Sequence, residues 1–297
     1  MAGGRPKLAV IVTSFDSHQV LRRGLQSLSQ QPDVGEIVVA DCSPDDPEPL
    51  LGPEFPAVRF VHFAEPKVVP VLRWAALPLT AAPLVGALES RCVAAPDWAR
   101  RIVEAHEAHP DCPAVGGPVA PGDSSSGFEL GLYFCEYGAF TPPVAEGPAP
   151  ALSGANLSYK RRDLEAERDY LESGRWETFL HERWLAQGRE LRLCDARIAF
   201  HNTMAPATAL RQRYHYGRGY AAERVEALPR PKAWLYAAFC PALPVLLTLR
   251  SGRTAAAKGL GWAFVRALPW TLLLNAAWSA GELVGYSRGP DRRARIF

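Results

Sequence analysis

The chain of 297 residues lacks any pair of cysteines at C-x-x-C spacing; Cys42, Cys92, Cys112, Cys135, Cys194 and Cys240 are scattered. That pattern suggests neither a structural zinc site nor a disulfide framework, and a reducing, cytosolic compartment fits it best. An excess of one charge is missing too. The 33 Lys plus Arg stand against 31 Asp plus Glu, a net +2, so nucleic acid is not indicated as a partner. There is no internal repeat. The opening "MAGGRPKLAVIVTSF" has too short an apolar run for a signal peptide and reads as a first strand, so export is not expected. No Gly-rich phosphate loop with a basic residue follows that strand, where the chain reads "TSFDSHQ"; this argues against nucleotidyl transfer.

What is present alternates between strand and helix signals. Residues 8–13 form a continuous run rich in β-branched side chains, 20–28 carry apolar residues at helical spacing, and 36–40 again read as a strand. Further strands are expected at 58–63 and 84–88, with helices at 68–76 and 97–109. Such alternation predicts an α/β fold with a mostly parallel sheet covered on both faces. In the middle, "VAPGDSSSGFE" and "FTPPVAEGPAPALSG" are Pro, Gly and Ser-rich loops around one short helical segment, the kind of loop that lies over a site. A strand ending in "SGANLSYKR", two helical stretches around "RWETFLHERWLAQG" and a strand pair in "ELRLCDARIAFH" follow.

Near Glu226 the composition changes, and the expected division is residues 1–226 and 227–297. Residues 233–249 and 268–280 are apolar and rich in Trp, Leu and Ala, but each is shorter than the roughly 20 residues of a simple spanning helix, and Pro241, Pro244 and Pro269 interrupt them. Basic residues flank both, among them Arg230, Lys232, Arg250, Arg253, Lys258, Arg288, Arg292, Arg293 and Arg295. The pattern predicts an apolar helical hairpin dipping into one leaflet, with a buried helical pair as the other reading.

The stretches "VIVTSFDSHQVLRRGLQSLSQQ", "EIVVADCSPDD", the strand ending at Glu89, "SGANLSYKRRDL" and "RWETFLHERWLAQG" followed by "IAFH" together resemble the inverting family 2 glycosyltransferases of the GT-A fold. The tail "AWSAGELVGYSRG" resembles that of membrane-associated bacterial members. The resemblance implies a nucleotide-sugar donor, an acceptor that is a lipid-linked intermediate or another glycan, and a place on the membrane surface at the cytoplasmic face of the inner membrane. In an open α/β sheet ligands sit beyond the carboxyl ends of the strands, so Ser14, Asp41 and Glu89 should converge on one crevice. By the resemblance, Ser14, Asp16 and Asp41 meet the nucleoside, and Arg73 lies near the base or phosphates. Asp41 also suits a turn, and Arg73 a solvated helix face. Gly154 and Asn156 resemble the loop that passes under the donor sugar.

In the family's acidic motif the catalytic base stands three residues before a Leu, six before an Arg and eleven before a Gly; Glu177 stands so to Leu180, Arg183 and Gly188. The other reading of Glu177 is an acid favoured at a helix N-terminus. The family's strand end carries two acids and a divalent cation, Mn or Mg, that bridges them to the diphosphate. Here Glu89 is followed by Ser90 and Arg91. Three outcomes are open. Glu89 holds a metal, with His201 as a further ligand; Arg91 neutralises the diphosphate without one; or catalysis is lost and the chain is a silent nucleotide-binding or scaffolding homologue. In each case metal dependence is expected to be weakened or absent.

Overall fold

The computed structural model describes residues 7–123, 126–226 and 228–289. Arg292, Arg293 and Arg295 of the basic flank lie outside the described residues.

The chain forms two compact units, Met1–Ala120 with Pro142–Thr203, and Pro121–Thr141 with Met204–Phe297. The first opens as β1 (Leu8–Ser14), α1 (His18–Ser29), β2 (Val34–Asp41), α2 (Glu48–Leu51), β3 (Val58–His62), α3 (Val69–Ala76) and β4 (Leu84–Glu89). It continues through β5 (Cys92–Ala94), α4 (Trp98–Ala108), β6 (Ala114–Gly116) and β7 (Val119–Pro121), where the chain leaves the unit. After α5 (Gly127–Glu136) of the second unit it returns through β8 (Gly147–Pro148), β9 (Asn156–Lys160), α6 (Arg161–Ala166), α7 (Arg168–Glu172), α8 (Glu177–Ala186), β10 (Leu191–Leu193) and β11 (Ile198–Phe200).

Eight strands make the main sheet in the order β3-β2-β1-β4-β9-β6-β10-β8. The pairings β3-β2, β2-β1, β1-β4 and β6-β10 are parallel; β9 runs antiparallel to both β4 and β6, and β8 to β10. All of β1 is buried, which is why it reads as an unbroken apolar run rather than an alternating one. The sequence suggests that "ELRLCDARIAFH" is a strand pair. Instead β10 joins the main sheet, while β11 pairs with β5 in a second sheet of order β5-β11-β7. The two strands share a stretch of chain and not a ladder.

The second unit is helical: α5, α9 (Pro206–Glu226), α10 (Arg230–Phe239), α11 (Leu243–Ala257) and α12 (Gly261–Arg288). The tail is therefore more than a hairpin, and its partners begin before residue 227. Helix α9 packs along α12 because glycines let the backbones touch. A Cβ on Gly281 would lie 2.0 Å from the Tyr214 carbonyl oxygen, and one on Gly217 would lie 2.2 Å from that of Trp278. Pro269 lies inside α12 without ending it. One helical stretch, Arg230–Ala257, is long and apolar enough to cross a membrane by length and composition.

Candidate active site

Register alone brings the carboxyl ends of the first strands together. Ser14 pairs with Asp41, Thr13 with Glu89 and Asp41 with His62, so the last residues of β1, β2, β3 and β4, namely Ser14, Asp41, His62 and Glu89, are four polar positions at one edge. This is the edge at which open α/β sheets take ligands. Ser14 Oγ is buried and has no hydrogen-bond partner, an orphan hydroxyl at that edge.

Asp41 is wholly buried and organises the loop beside it. Its Oδ1 accepts from the Ser43 N–H at 2.9 Å and lies 3.0 Å from His62 Nδ1, while Oδ2 accepts from the Ser43 hydroxyl at 2.7 Å. The Ser43 Oγ in turn accepts from the Asp16 N–H at 2.8 Å. Asp16 has φ 44°, in the left-handed region that Asp tolerates better than most residues, and this relay fixes it there. Asp41 thus does the work of a turn residue, and the exposed Asp16 sits on a loop that Asp41 holds through Ser43.

Arg91 is held by protein partners. Its Nε donates to Thr203 Oγ1 at 2.9 Å and its Nη2 to the Phe15 carbonyl at 3.1 Å, while its own carbonyl accepts from the His201 N–H at 2.8 Å. It staples the loop after β1 to the segment after β11. Ser90, the residue in place of a second acid, has its Oγ 2.5 Å from Ser17 Oγ.

The charges that do converge are Arg73, Glu177 and Glu89. Arg73 sits on α3, and Glu177 is the first residue of α8; both side chains are about nine-tenths buried. Arg73 Nη1 donates to Glu177 Oε1 at 2.5 Å and Nη2 to the Gly154 carbonyl at 2.5 Å. Burial by itself would lower the Arg73 pKa, but Glu177, Glu89 and Tyr159 raise it above the usual arginine value, so the guanidinium stays charged. Among the described residues, Arg73 is the only side-chain hydrogen-bond partner of Glu177; its Oε2 accepts none.

Behind this pair lies a support that sequence reading missed. Tyr159 on β9 and His181 on α8 meet at 2.9 Å, and His181 stacks on Trp184 with centroids 6.1 Å apart. Burial lowers the His181 pKa to about 4 and pushes that of Tyr159 well up, so the contact joins a protonated phenol to a neutral imidazole, with the donor set by the imidazole tautomer. The signal was there in spacing: His181 follows Glu177 by one helical turn, on the same face of α8.

Two further residues were grouped in sequence and part in structure. Gly154 is exposed, a Cβ there would meet nothing within 4 Å, and its carbonyl holds Arg73. Asn156 is instead a strut in the core. Its Oδ1 accepts from Trp98 Nε1 at 2.8 Å, and its Nδ2 donates to the carbonyls of Pro118 at 3.0 Å and Ala196 at 2.8 Å. With no exposed surface, it cannot touch a donor sugar.

Among the described residues no three His, Cys, Asp or Glu side chains gather as metal ligands. Glu89 stands in the field of Arg73, and Ser90 is tied to Ser17. A divalent ion needs several oxygen ligands and is repelled by a neighbouring guanidinium, so this donor set, with or without His201, does not by itself fit one.

Comparison with known proteins places the fold. The chain matches a mannosyltransferase, PcManGT, from Pyrobaculum calidifontis in complex with GDP-Man and Mn2+, with TM-score 0.53 and 16% identity over 91% of this chain and 88% of that one. It also matches GalNAc-T7 with UDP, GalNAc and Mn2+, with TM-score 0.51 and 12% identity over 67% of this chain and 43% of that one. No protein-family model and no curated protein sequence matches it. At these identities the likeness is one of architecture: the chain has the mixed α/β GT-A fold, with a C-terminal helical region.

Proposed function

We propose that this chain is a nucleotide-sugar-dependent glycosyltransferase of the inverting family 2 type, with Glu177 as its base. The observation that carries the reading is a buried, charged Arg73–Glu177 pair fastened to the Gly154 carbonyl, with Glu89 in the same field, in a GT-A fold. Inversion needs a carboxylate on the acceptor side of the anomeric carbon. The acceptor oxygen forms its bond to that carbon as the bond to the nucleoside diphosphate breaks, the electron pair leaves with the diphosphate, and the acceptor proton goes to Glu177 Oε2. Arg73, on the other oxygen, holds the carboxylate in place. Ser14 Oγ, enclosed and without a hydrogen-bond partner among the described residues, lies at the strand edge beside the loop that carries Asp16.

The test is transfer from GDP- and UDP-sugars by the full chain. Glu177→Gln should leave nucleotide binding intact and lower transfer roughly a hundredfold or more. Unchanged turnover would remove Glu177 from the mechanism. The second reading, a silent nucleotide-binding homologue, is favoured by Ser90, which stands in place of a second acid and is tied to Ser17. Nucleotide binding with no transfer from any donor would select it.

We place the protein on the cytoplasmic surface of the inner membrane, working on a lipid-linked or other glycan acceptor. Support comes from the outer faces of α10, α11 and α12. Among the described residues they carry all the exposed large apolar side chains except Leu50, up to Trp262 at 75% exposure, with Arg230, Lys232, Arg253 and Arg266 among them. Apolar surface of that extent rimmed by cations suits an anionic interface. The full chain should float with anionic vesicles, and Trp234→Glu with Trp262→Glu should weaken that. Recovery in the soluble fraction whatever the lipid removes the membrane reading.

A further inference from the structure

The helical unit contains a cavity of about 320 Å³ among α5, α9, α11 and α12, mostly apolar but with polar and charged groups on its wall. Its wall carries Arg213, Glu282, Asn275, Trp278, Tyr220 and Arg250. Arg213 is 6% exposed, yet its guanidinium makes no hydrogen bond or ion pair among the described residues, and its Nε is fully enclosed. Its one strong neighbour is the face of Trp278, with the guanidinium carbon 4.4 Å from the ring centroid. Glu282 is 7% exposed and accepts only from Trp278 Nε1. Asn275, 2% exposed, donates to Thr248 Oγ1 at 3.1 Å and has its carbonyl oxygen unused. A buried arginine and a buried carboxylate that line one cavity without pairing are costly unless something else joins them.

We propose that this cavity binds one neutral sugar ring. A group that joins Arg213 to Glu282 must accept from the guanidinium and donate to the carboxylate. A hydroxyl does both without bringing charge; a fully ionised phosphate group only accepts, and an ammonium only donates. The ionic side chains on the wall balance, Arg213 and Arg250 against Glu136 and Glu282, so they select neither an anion nor a cation. Trp278 and Tyr220 supply aromatic surface for the apolar face of a ring, and the volume is at the small end of ligand cavities, about 300 to 1,000 Å³. Only the further step, that the ring belongs to the acceptor glycan, rests on the glycosyltransferase reading.

Binding is tested apart from transfer. Methyl hexopyranosides, and inorganic phosphate as a rival probe, are titrated into the detergent-solubilised full chain by saturation-transfer NMR, with nucleotide binding as the control for folding. Expected is pyranoside binding that phosphate does not displace and that weakens at least tenfold in both Arg213→Lys and Glu282→Gln, with nucleotide binding unchanged. Glu282→Gln keeps the acceptor for Trp278 Nε1, so the packing is retained. Absence of pyranoside binding, displacement by phosphate, or equal affinity in parent and both variants overturns the proposal. Should both variants fail to fold, the parent's response to the two probes decides it. A chain that binds pyranosides and transfers nothing keeps this site and loses the proposed activity.

Discussion

The two units treat a buried arginine in opposite ways. In the sheet unit Arg73 is fastened at both ends, to a carboxylate and to a carbonyl. In the helical unit Arg213 is as deeply buried and lies against an indole with no hydrogen bond. The first arrangement is complete within the protein and holds α3, α8 and the loop before β9 to one another. The second is complete only with a ligand. A buried charge therefore says nothing of its role until its partners are counted.

The sharpest way to break this comparison is to truncate both. Arg73→Ala strands Glu177 as an uncompensated buried carboxylate and should cost about 3–5 kcal/mol. Arg213→Ala forfeits only a cation–π contact and some packing, about 0.5–2 kcal/mol. Denaturant unfolding of the full chain measures both. Equal losses would make Arg213 structural and remove the ground for a ligand site.

Close backbone approach through glycine occurs in both units: a Cβ on Gly117 would lie 1.9 Å from the Ala196 carbonyl oxygen in the sheet unit, as one on Gly281 would lie 2.0 Å from that of Tyr214 in the helical unit. Gly281 allows α9 and α12 to touch, and a methyl group 2.0 Å from a carbonyl oxygen must force them apart. Gly281→Ala should therefore lower stability by about 1–3 kcal/mol, read as a fall in the unfolding midpoint. A midpoint within error of the parent would mean that the helices slide freely.

That contact explains why one boundary was legible and the other was not. Buried parallel strands announce themselves as β-branched runs, and β1, β2 and β4 lie within two residues of where sequence places them. The four carboxyl-end positions then follow from register. The helical unit recruits α5 from mid-chain and α9 from before the apolar tail through small residues, whose packing leaves no apolar period to read. At the proposed site, motif spacing singles out Glu177 and the resemblance singles out Arg73. Their direct bond depends on a contact 104 residues apart in sequence, which no local pattern encodes.

Acid should act on the sheet unit through two histidines. Burial lowers His106 to about 3 and His181 to about 4, against 6.5 in an unfolded chain. Between those values and 6.5 the unfolded chain binds the extra protons, so stability is full above pH 6.5 and falls as the pH drops toward 4. Between pH 7 and 5.5 each histidine should contribute a loss of about 1 kcal/mol. His106 Nε2 lies 2.8 Å from Ser158 Oγ, and Gln at that position can keep this bond without titrating. His106→Gln should flatten the pH dependence of the unfolding midpoint in that window. An unchanged slope would mean that His106 protonates in the folded state.

The smallest expected change in stability is at Gly154, and there the comparison turns from packing to ligand. A methyl group on Gly281 meets backbone at once; on Gly154 it meets open space. No positive φ requires glycine at 154, so Gly154→Ala should alter the unfolding midpoint by less than about 0.5 kcal/mol. The carbonyl that holds Arg73 is backbone and survives the change. Any effect must then come from what occupies the open space. If the donor sugar passes there, the added methyl should raise the KM for donor severalfold while kcat with the tolerated donor changes little, because the Arg73–Glu177 pair is untouched. Donor kinetics unchanged in a variant of parental stability would place the sugar elsewhere, and Gly154 would serve only through its carbonyl.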